Sequence, residues 1–388
     1  MTPRYDIAIL GSGPVATALA LLLAHRSHAP ARIALFGHAP QRSGALDDPR
    51  TLALNEGSRV SLAALHAWPA HTATIRNIHV SQQGRLGRTH IRHTDFDVPA
   101  LGYVAAYPAL LDALEARRQA AGIVRHEALD FSSITQDANG VFSSQDTGGG
   151  LAPGQPLSQV AVLADGAGAS DITREYDQSA VLATVRATRP RPDWAYERFR
   201  NEGPLAVLPH PGGQDLYAIV WCCRPFTAKT LHGMDAGTFS RALTRAFGDR
   251  LGSFSLVGDR HIFPLSLKAR RELVAGRIVA IGNAAQALHP VAGQGFNLGL
   301  RDAVQLAQSL GPWLANPDTS APAQLAQYAR QRRVDRLVTG GLTDILPRVF
   351  ATGLAPVEHA CGAALLTMDI MPTLRAPLAR QLLYGTRA

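Results

Sequence analysis

Apolar and polar positions follow an informative order at the start of the chain. Residues 5–10 form a short, mostly apolar run, a glycine-rich turn follows, and residues 15–24 are almost entirely apolar. The first run predicts a buried strand, and the second predicts a helix that continues to about residue 28. Pro14 suits the first position of that helix, and residues 32–36 predict another strand. A strand, a helix and a strand in this order predict an α/β fold.

The pattern changes character twice along the rest of the chain. The α/β pattern continues with helices at residues 56–66 and 106–121, a strand pair at 75–91 and a buried strand at 160–163. Longer alternating runs then predict an antiparallel sheet with one intervening helix, the strands at residues 180–186, 205–208, 217–223 and 254–263 and the helix at 238–247. From Ile278 the α/β pattern returns, and beyond Asp302 the chain is mostly helical.

These changes predict two closely joined domains, one of them discontinuous in sequence. We expect a Rossmann-like nucleotide-binding domain at residues 1–75, 100–175 and 265–340. An antiparallel-sheet substrate domain is expected at residues 76–99 and 176–264, and a C-terminal helical region at 341–388. The glycine-rich segment 148–155 predicts a surface turn rather than a domain boundary.

Composition narrows the class of protein. The 388 residues are 46% hydrophobic and 18% charged, and no apolar run is long enough to cross a bilayer. The net charge of +8 comes almost wholly from scattered arginines, without a nucleic-acid-binding motif. This favours a weak attraction to an anionic membrane surface over nucleic-acid binding. The three cysteines lack metal-binding spacing, which predicts no metal site and a reduced, cytoplasmic compartment.

The first glycine-rich turn has the spacing of a dinucleotide-binding motif. Gly11 permits a tight turn, Gly13 lets the backbone approach a pyrophosphate, and Ala16 allows close packing of helix on strand. This spacing alone does not separate FAD from NAD. The second strand ends at Gly37 and His38 without the usual ribose-binding carboxylate, so His38 is either a substitute contact or an exposed histidine.

Two shorter signals lie between this motif and a later one. Arg50 precedes a short apolar run, and its planar guanidinium could bind a pyrophosphate or equally lie on the surface. Asp165 and Gly166 follow a buried strand, which is common in any α/β protein. Their interest comes from their position between the first and last motifs.

The segment from Ile278 to Asp302 is the most informative part of the chain. A buried strand leads into a turn at Gly282 and Asn283, and a loop then feeds a helix from about Phe296. Gly293 and Gly295 are expected to leave bare N–H groups at the positive end of that helix. Such a helix start suits an electron-rich ring edge that becomes anionic during turnover. The alternative is a plain glycine-rich turn, which the length and order of the motif disfavour.

In their order, the motifs at Gly11–Ala16, Asp165–Gly166 and Gly282–Asn283 resemble the three signatures of the aromatic-ring flavin hydroxylases, which share the p-hydroxybenzoate hydroxylase fold. The similarity extends to the ubiquinone-biosynthesis hydroxylases through further segments, at residues 48–54, 101–104, 176–180, 197–199, 203–209, 263–265 and in Tyr328-x-x-x-Arg332-x-x-x-Arg336. The Gly-Asn-Ala-Ala-Gln-x-Leu-His-Pro form is similar to the UbiH branch, the 2-polyprenyl-6-methoxyphenol hydroxylases. Most relatives have Asp where this chain has Asn283, and many place a polar or basic residue near Tyr107-Pro108.

The resemblance implies a flavin-dependent monooxygenase with a Rossmann-like FAD-binding domain. FAD, NAD(P)H as electron donor and O2 would convert a polyprenyl phenol to its 1,4-benzoquinol. It implies FAD contacts at Gly11, Gly13, Ala16, Arg50, Asp165, Gly166, Gly282, Asn283, Gly293, Gly295 and Asn297. Backbone donors at Gly293, Gln294 and Gly295 would lie near the flavin, and Pro290 would wall the reaction site. His289 is either a proton handler or, as we favour, a residue that fixes the loop.

Three alternatives remain open from the sequence. Hydroxylation could take place at another ring position, or the substrate could be a soluble aromatic acid, although no buried cationic anchor for an acid stands out. The chain could instead be a non-catalytic flavoprotein of a quinone-biosynthesis assembly. Residues 373–384 could lie on the inner membrane surface or, as we favour, pack on their own domain.

Overall fold

The computed structural model describes residues 4–38, 50–145, 155–166, 170–316 and 321–385. Asp48 and most of the predicted surface turn at 148–155 lie outside these ranges. Within them, no helix combines the length and the apolar character needed to cross a membrane.

The strands of the described residues are β1 (Tyr5–Leu10), β2 (Ile33–Phe36), β3 (Thr51–Leu54), β4 (Thr72–Ile75), β5 (Asn77–Gln82), β6 (Arg88–Arg92), β7 (Gly102–Ala106), β8 (Val124–His126), β9 (Ile134–Gln136), β10 (Val141–Ser143), β11 (Pro156–Leu163), β12 (Ile172–Ala187), β13 (Trp194–Arg200), β14 (Gly203–His210), β15 (Gly213–Cys223), β16 (Phe254–Ala269), β17 (Val274–Ala275), β18 (Ile278–Ala280) and β19 (Gln286–Ala287). The helices are α1 (Pro14–Ala24), α2 (Glu56–Ala64), α3 (Tyr107–Ala120), α4 (Pro225–Gly233), α5 (Ala236–Phe247), α6 (Gln294–Ala315), α7 (Ala321–Val349), α8 (Ala355–Ile370) and α9 (Pro372–Tyr384).

A mainly parallel sheet carries the first motif. Its main strand order is β17-β18-β11-β1-β2-β8, with β1 parallel to both β2 and β11. Both faces of its central strand are covered, and Ile7, Ala8 and Ile9 have no accessible surface. Such double burial is why β1 reads as a continuous apolar run rather than an alternating one. Pro14 occupies the first position of α1, as predicted, and the helix ends at Ala24, earlier than expected.

A second, antiparallel sheet has the order β19-β16-β12-β15-β14-β13-β5-β6, in which β13 and β5 form the one parallel pair. One face packs against α4 and α5 through an apolar cluster that includes Tyr217, Trp221 and Phe239. We call the other the inner face, because it meets the rest of the chain through two smaller apolar clusters. A mixed α/β fold that combines these two sheets with C-terminal helices confirms the predicted fold class.

In the antiparallel sheet, the sequence missed β13 and α4 and shortened all four predicted strands, β12 and β16 most. The apolar alternation of β13 is interrupted by Glu197, Arg198 and Arg200, so the sequence of this segment did not predict a strand. β12 and β16 extend well beyond the predicted runs because polar ends still pair along the ladder from Ile172 to Ala269.

The C-terminal helix α9 packs on its own chain. Arg375, Ala379 and Leu383 are buried, and Arg375 forms an ion pair with Asp95 at 2.7 Å. The side-chain amide of Asn55 donates to the carbonyl of Leu382 at 2.8 Å. Both contacts agree with the favoured prediction of a packed helix in this region.

Candidate active site

The three widely separated motifs meet at the start of α1. A Cβ placed on Gly11 would lie 3.0 Å from the backbone nitrogen of Asp165, and one on Gly166 would lie 3.2 Å from the Cβ of Asn283. A Cβ on Gly282 would lie 3.2 Å from Val15 of α1. Because parallel strands β1, β11 and β18 end at one edge, the turns that follow them are brought together there.

The space beside Gly13 is open, whereas the space beside Gly37 is filled. Gly13 is the N-cap of α1, and an added Cβ would meet no atom within 4 Å. Ala16, one turn into the helix, is fully buried. A Cβ on Gly37 would lie 2.9 Å from the Cβ of Ser12, so close packing fills the space that a side chain at this strand end would need. His38 is exposed, which agrees with the second of its two predicted roles.

The late helix α6 begins near this junction. A Cβ on Gly299 would lie 3.0 Å from Val15 and 3.1 Å from the Cα of Gly282. Gly295 is four residues earlier, which is one helical turn or about 6 Å along the axis. The start of α6 and the start of α1 therefore flank the same region of the molecule.

One expectation about this helix start is corrected. Gly293 has left-handed backbone geometry with φ of 59°, and its N–H donates to the carbonyl of Pro290 at 3.0 Å instead of remaining bare. The tight turn at residues 291–293 uses that donor, because Gly293 closes the turn before it caps α6. Gly295 lies in the first turn of α6, where helix N–H groups lack intrahelical acceptors, and an added Cβ would meet no atom within 4 Å.

Asn297 joins α6 to the segment after Arg50. Its side-chain amide donates to the carbonyls of Ala53 and Gly293, both at 2.8 Å. Its oxygen accepts from the Asn55 N–H at 3.0 Å and from the Ser58 hydroxyl at 2.7 Å. All four side-chain bonds are made within the protein, so Asn297 braces the start of α6 against the segment after Arg50.

Arg50 is exposed at the rim of this region. Its guanidinium carbon lies 4.1 Å from the ring centroid of Tyr107, and the Tyr107 N–H donates to the Arg50 carbonyl at 3.0 Å. Tyr107 and Pro108 start α3. The departure from relatives at Tyr107-Pro108 therefore has a local role, because the ring supports the arginine by cation–π contact.

The contacts of His289 favour the loop-fixing role. The side chain is 1% exposed, and burial lowers its pKa to about 4. Nδ1 accepts the Val291 N–H at 3.2 Å, which leaves the proton on Nε2 to donate to Gln178 Oε1 at 3.1 Å. A neutral imidazole with both nitrogens in use ties β12 to the loop. Pro290 lies next to it, partly accessible, at the start of the turn.

A buried ion-pair network holds the loop from Gly282 to Gln286. Asp302 has no accessible surface and accepts from the Gly282 N–H at 3.0 Å, from Gln286 at 2.8 Å and from Arg332 at 2.7 Å. Burial opposes the charge of Arg332, but Asp302 and Asp335 outweigh that cost and raise its pKa. Arg336 adds contacts to Gln286 and to the carbonyl of Arg270.

The sequence missed the roles of this network. Arg332 and Arg336 were visible only as a spacing of four, which places them on one face of α7. Their partner Asp302 lies on α6, one turn beyond Gly299, where a polar residue interrupts an apolar helix face. A buried Asp on an apolar face requires a partner, and that was the available signal.

These residues fit a bound FAD. The open helix starts at Gly13 and Gly295, aligned around one junction, suit anionic groups and leave room for a cofactor against the backbone. Across the residues that the structure describes, no group of three or more His, Cys, Asp or Glu side chains is arranged to hold a metal ion.

Comparisons with known proteins agree with this arrangement. A model of the FAD binding domain family matches residues 4–338. The solved p-nitrophenol 4-monooxygenase PnpA from Pseudomonas putida DLL-E4 has a TM-score of 0.75 and 16% identity, and the match covers 100% of both chains. That likeness shows a shared fold.

Two relatives with higher identity are named as hydroxylases. Ubiquinone hydroxylase UbiL from Rhodospirillum rubrum is 31% identical over 95% of this chain and 87% of its own. The 3-demethoxyubiquinol 3-hydroxylase of Escherichia coli is 26% identical over 94% of each chain. Fold and site together define a flavin-dependent monooxygenase. The chain belongs to the FAD binding domain family and, within it, to the ubiquinone-biosynthesis FAD hydroxylases.

Proposed function

We propose that this protein hydroxylates the ring of a polyprenyl phenol in ubiquinone biosynthesis, with FAD as cofactor, NAD(P)H as electron donor and O2 as oxidant. The proposed reaction converts a 2-polyprenyl-6-methoxyphenol to its 1,4-benzoquinol. One oxygen atom enters the ring, the other leaves as water, and NAD(P)H supplies the two electrons. The supporting observation is the open start of α6 at Gly295, together with the contacts that His289 and Val291 of the preceding loop make with the inner face of the antiparallel sheet.

Bound FAD would supply the oxygen chemistry, and the protein would bind, orient and exclude water. We assign Gly11, Gly13, Asp165, Gly166, Gly282 and Asn283 to the nucleotide part of FAD, with Arg50 at the pyrophosphate. Gln294 and Gly295 are assigned to the flavin edge as backbone donors, and Pro290 to the wall beside the ring. Gly293, Asn297 and His289 then hold the loop in shape, and buried Ala16 permits the packing of α1.

A soluble aromatic acid is the weaker candidate substrate. It would require an available cationic side chain on the inner face, but Arg186 on that face is paired with Asp215 at 2.7 Å. The Glu197 carboxyl offers an acid no positive charge, whereas a neutral phenol is compatible with both the carboxyl and its apolar surroundings.

We also propose a peripheral membrane contact at the corner between α8 and α9. Exposed apolar side chains gather there, namely Leu366, Ile370, Met371 and Leu374. A polyprenyl substrate is dissolved in lipid, so such a corner would bring the site close to its supply. Sedimentation with anionic vesicles should carry down the wild type and less of Ile370→Glu. Equal sedimentation of the two would contradict this contact.

The hydroxylase proposal is tested with purified protein, FAD, NAD(P)H, and a 2-methoxyphenol that carries a short prenyl chain. We expect the phenol to stimulate NAD(P)H oxidation and mass spectrometry to find one added oxygen atom. Oxidation without an oxygenated product, or none at all, would contradict the proposal. Complementation of strains that lack each ring hydroxylase in turn would identify the ring position.

A further inference from the structure

One strand of the inner face carries an acid where its neighbours carry apolar side chains. On β13, alternate residues Ala195, Glu197 and Phe199 point to the same face. Ala195 packs in one apolar cluster with residues of the FAD-binding side, including Ile75, Leu101, Val104 and Leu383. Phe199 packs in the other, with Val291, Phe350, Cys361 and Leu365. Glu197 therefore lies between the two clusters that join the sheet to the rest of the molecule.

Glu197 faces a cross-strand row of apolar residues. Its register neighbours on this row are Val80 on β5, Ala206 on β14, Val220 on β15 and Leu182 on β12. The row is polar at its two ends, at Thr89 and His261. This arrangement places one carboxyl in the middle of an apolar surface.

The Glu197 carboxyl has no ionic or hydrogen-bonding partner among the residues that the structure describes. Burial alone raises its pKa to about 8. The side chain nevertheless retains some accessible surface. The apolar residues around the carboxyl therefore desolvate it, while part of the side chain remains accessible.

No described residue forms an ion pair with the carboxyl. Cys222 on β15 lies near it, and burial raises the pKa of that thiol, with a smaller contribution from the Glu197 charge. On α8, burial raises the pKa of the Cys361 thiol, and Glu358 pairs with Arg85 at 2.6 Å. Further along the same face, His261 ends the row and Arg186 pairs with Asp215 at 2.7 Å. Arg198, Arg200 and His79 alternate to the outer face, where Arg200 stacks on Trp221 and His79 contacts Arg250. Pairing with a neighbour therefore does not account for the acid.

The inner face reaches the loop that we assign to the flavin edge. Gln178 on β12 accepts from His289, and Phe199 packs with Val291, so both residues that flank Pro290 touch this face. Alternate residues of a strand are about 7 Å apart, which places Glu197 one such step from the loop contact at Phe199. Glu197 and the loop that carries Pro290 therefore meet neighbouring parts of the inner face.

We propose that Glu197 is a catalytic residue that binds the phenolic hydroxyl of the substrate and takes up its proton during hydroxylation. This inference rests on the proposed function. The O–H bond of the phenol breaks, its proton passes to the carboxylate, and the electron pair of that bond activates the ring towards oxygen. As the carbon–oxygen bond forms, the O–O bond derived from O2 breaks, and the second oxygen atom leaves as water with the two electrons that NAD(P)H supplied. The ring carbon then loses its proton to solvent, and Glu197 returns its proton to the original oxygen. Glu197 therefore has the same protonation state at the end of the turnover as at its start.

The environment suits this task. A free phenol has a pKa of about 10 and an ordinary carboxylate one of about 4, so an ordinary carboxylate is a poor base for it. Desolvation narrows that gap, and a base whose pKa lies near the working pH transfers protons most effectively. The protonated form can also hydrogen-bond to the phenol oxygen at lower pH, which orients the ring.

The test compares Glu197→Gln and Glu197→Asp with the wild type as FAD-loaded proteins, using the prenylated 2-methoxyphenol. We expect the wild-type kcat to rise with pH to a plateau with an apparent pKa near 8. Glu197→Gln should lower kcat by about 100-fold or more, change KM little, and lose that rise. Glu197→Asp should keep the rise at reduced kcat. Glu175→Gln, an exposed acid on β12, is the matched control and should behave as the wild type.

Infrared spectra give a second measurement that does not need turnover. A protonated-carboxyl band that titrates near pH 8 in the wild type should be missing from Glu197→Gln. Retention of both the pH rise and a near wild-type kcat in Glu197→Gln would overturn the inference while the proposed function stands. Failure of the wild type to oxygenate any phenol would instead overturn the proposed function.

Discussion

Two buried acids of this protein occupy opposite environments. Asp302, beneath the late loop, accepts hydrogen bonds from Gly282, Gln286 and Arg332. Glu197, on the inner face of the antiparallel sheet, has apolar neighbours and a pKa raised to about 8. A carboxylate that is fully paired holds the structure together, because its charge is already compensated. One without a partner is costly to ionise, and such groups are commonly retained for chemistry.

The largest expected effect comes from removal of the paired acid. Asp302→Ala should lower the free energy of unfolding by about 3 to 5 kcal/mol, because the Arg332 Nε–H and the Gly282 N–H lose their buried acceptor and Arg332 keeps only Asp335. Chemical denaturation at pH 7 measures this change. Asp215→Ala, which breaks the exposed pair with Arg186 at 2.7 Å, is the control and should cost less than about 1 kcal/mol. Similar losses in the two variants would remove the contrast between paired and exposed acids.

The change in stability on removal of the unpaired acid, Glu197, should have the opposite sign. Because the folded-state pKa of Glu197 is raised from 4.5 to about 8, its contribution to stability is fully present below about pH 4.5 and is lost as pH rises to about 8. Glu197→Gln lacks this titration. Its stability relative to the wild type should therefore improve by about 1.4 kcal/mol per pH unit across that window. Denaturation curves at pH 5 and pH 8 measure the difference, and a pH-independent difference would show that Glu197 ionises normally.

Gly293 and Gly295 allow the same comparison near the cofactor, between a position that holds the fold and one that is assigned to FAD binding. Gly295→Leu should fold normally and weaken FAD binding by more than about tenfold, because the new side chain enters open space where the flavin is assigned. Gly293→Ala should instead destabilise the fold by about 1 to 3 kcal/mol, since φ is 59° and the new Cβ would lie 2.8 Å from that of Ala53. FAD titration and thermal melts separate the two outcomes. Normal FAD affinity in Gly295→Leu would contradict the assignment of the flavin to this helix start.

The smallest effect is expected at the exposed turn. Asn283→Asp restores the carboxylate common among relatives and should keep FAD bound, with affinity unchanged or improved by a few-fold through a charge-assisted hydrogen bond of about 1 kcal/mol. Fluorescence titration with FAD measures it. Loss of FAD would mean that the amide donates a bond that a carboxylate cannot make.

Sequence by itself determined the features that depend on local chemistry. Apolar β1, the glycine turn at Gly11 and Pro14 at the start of α1 are local signals, and the structure bears out each element. The order of the three motifs was sufficient to indicate the family. The N–H of Gly293 was assigned wrongly, because its acceptor at Pro290 depends on a turn that the pattern did not show.

Tertiary structure alone decided what the buried charges do. Arg332 and Asp302 are apart in sequence and adjacent in space, and the charged residues of β13 concealed a strand whose neighbours are β5 and β14. The sequence marks residues 197–199 only as a segment of family resemblance, and the local pattern there does not distinguish Glu197 from an exposed acid. Its raised pKa arises from burial among apolar residues of distant strands, and desolvation is a property of the surrounding volume, not of the adjacent residues.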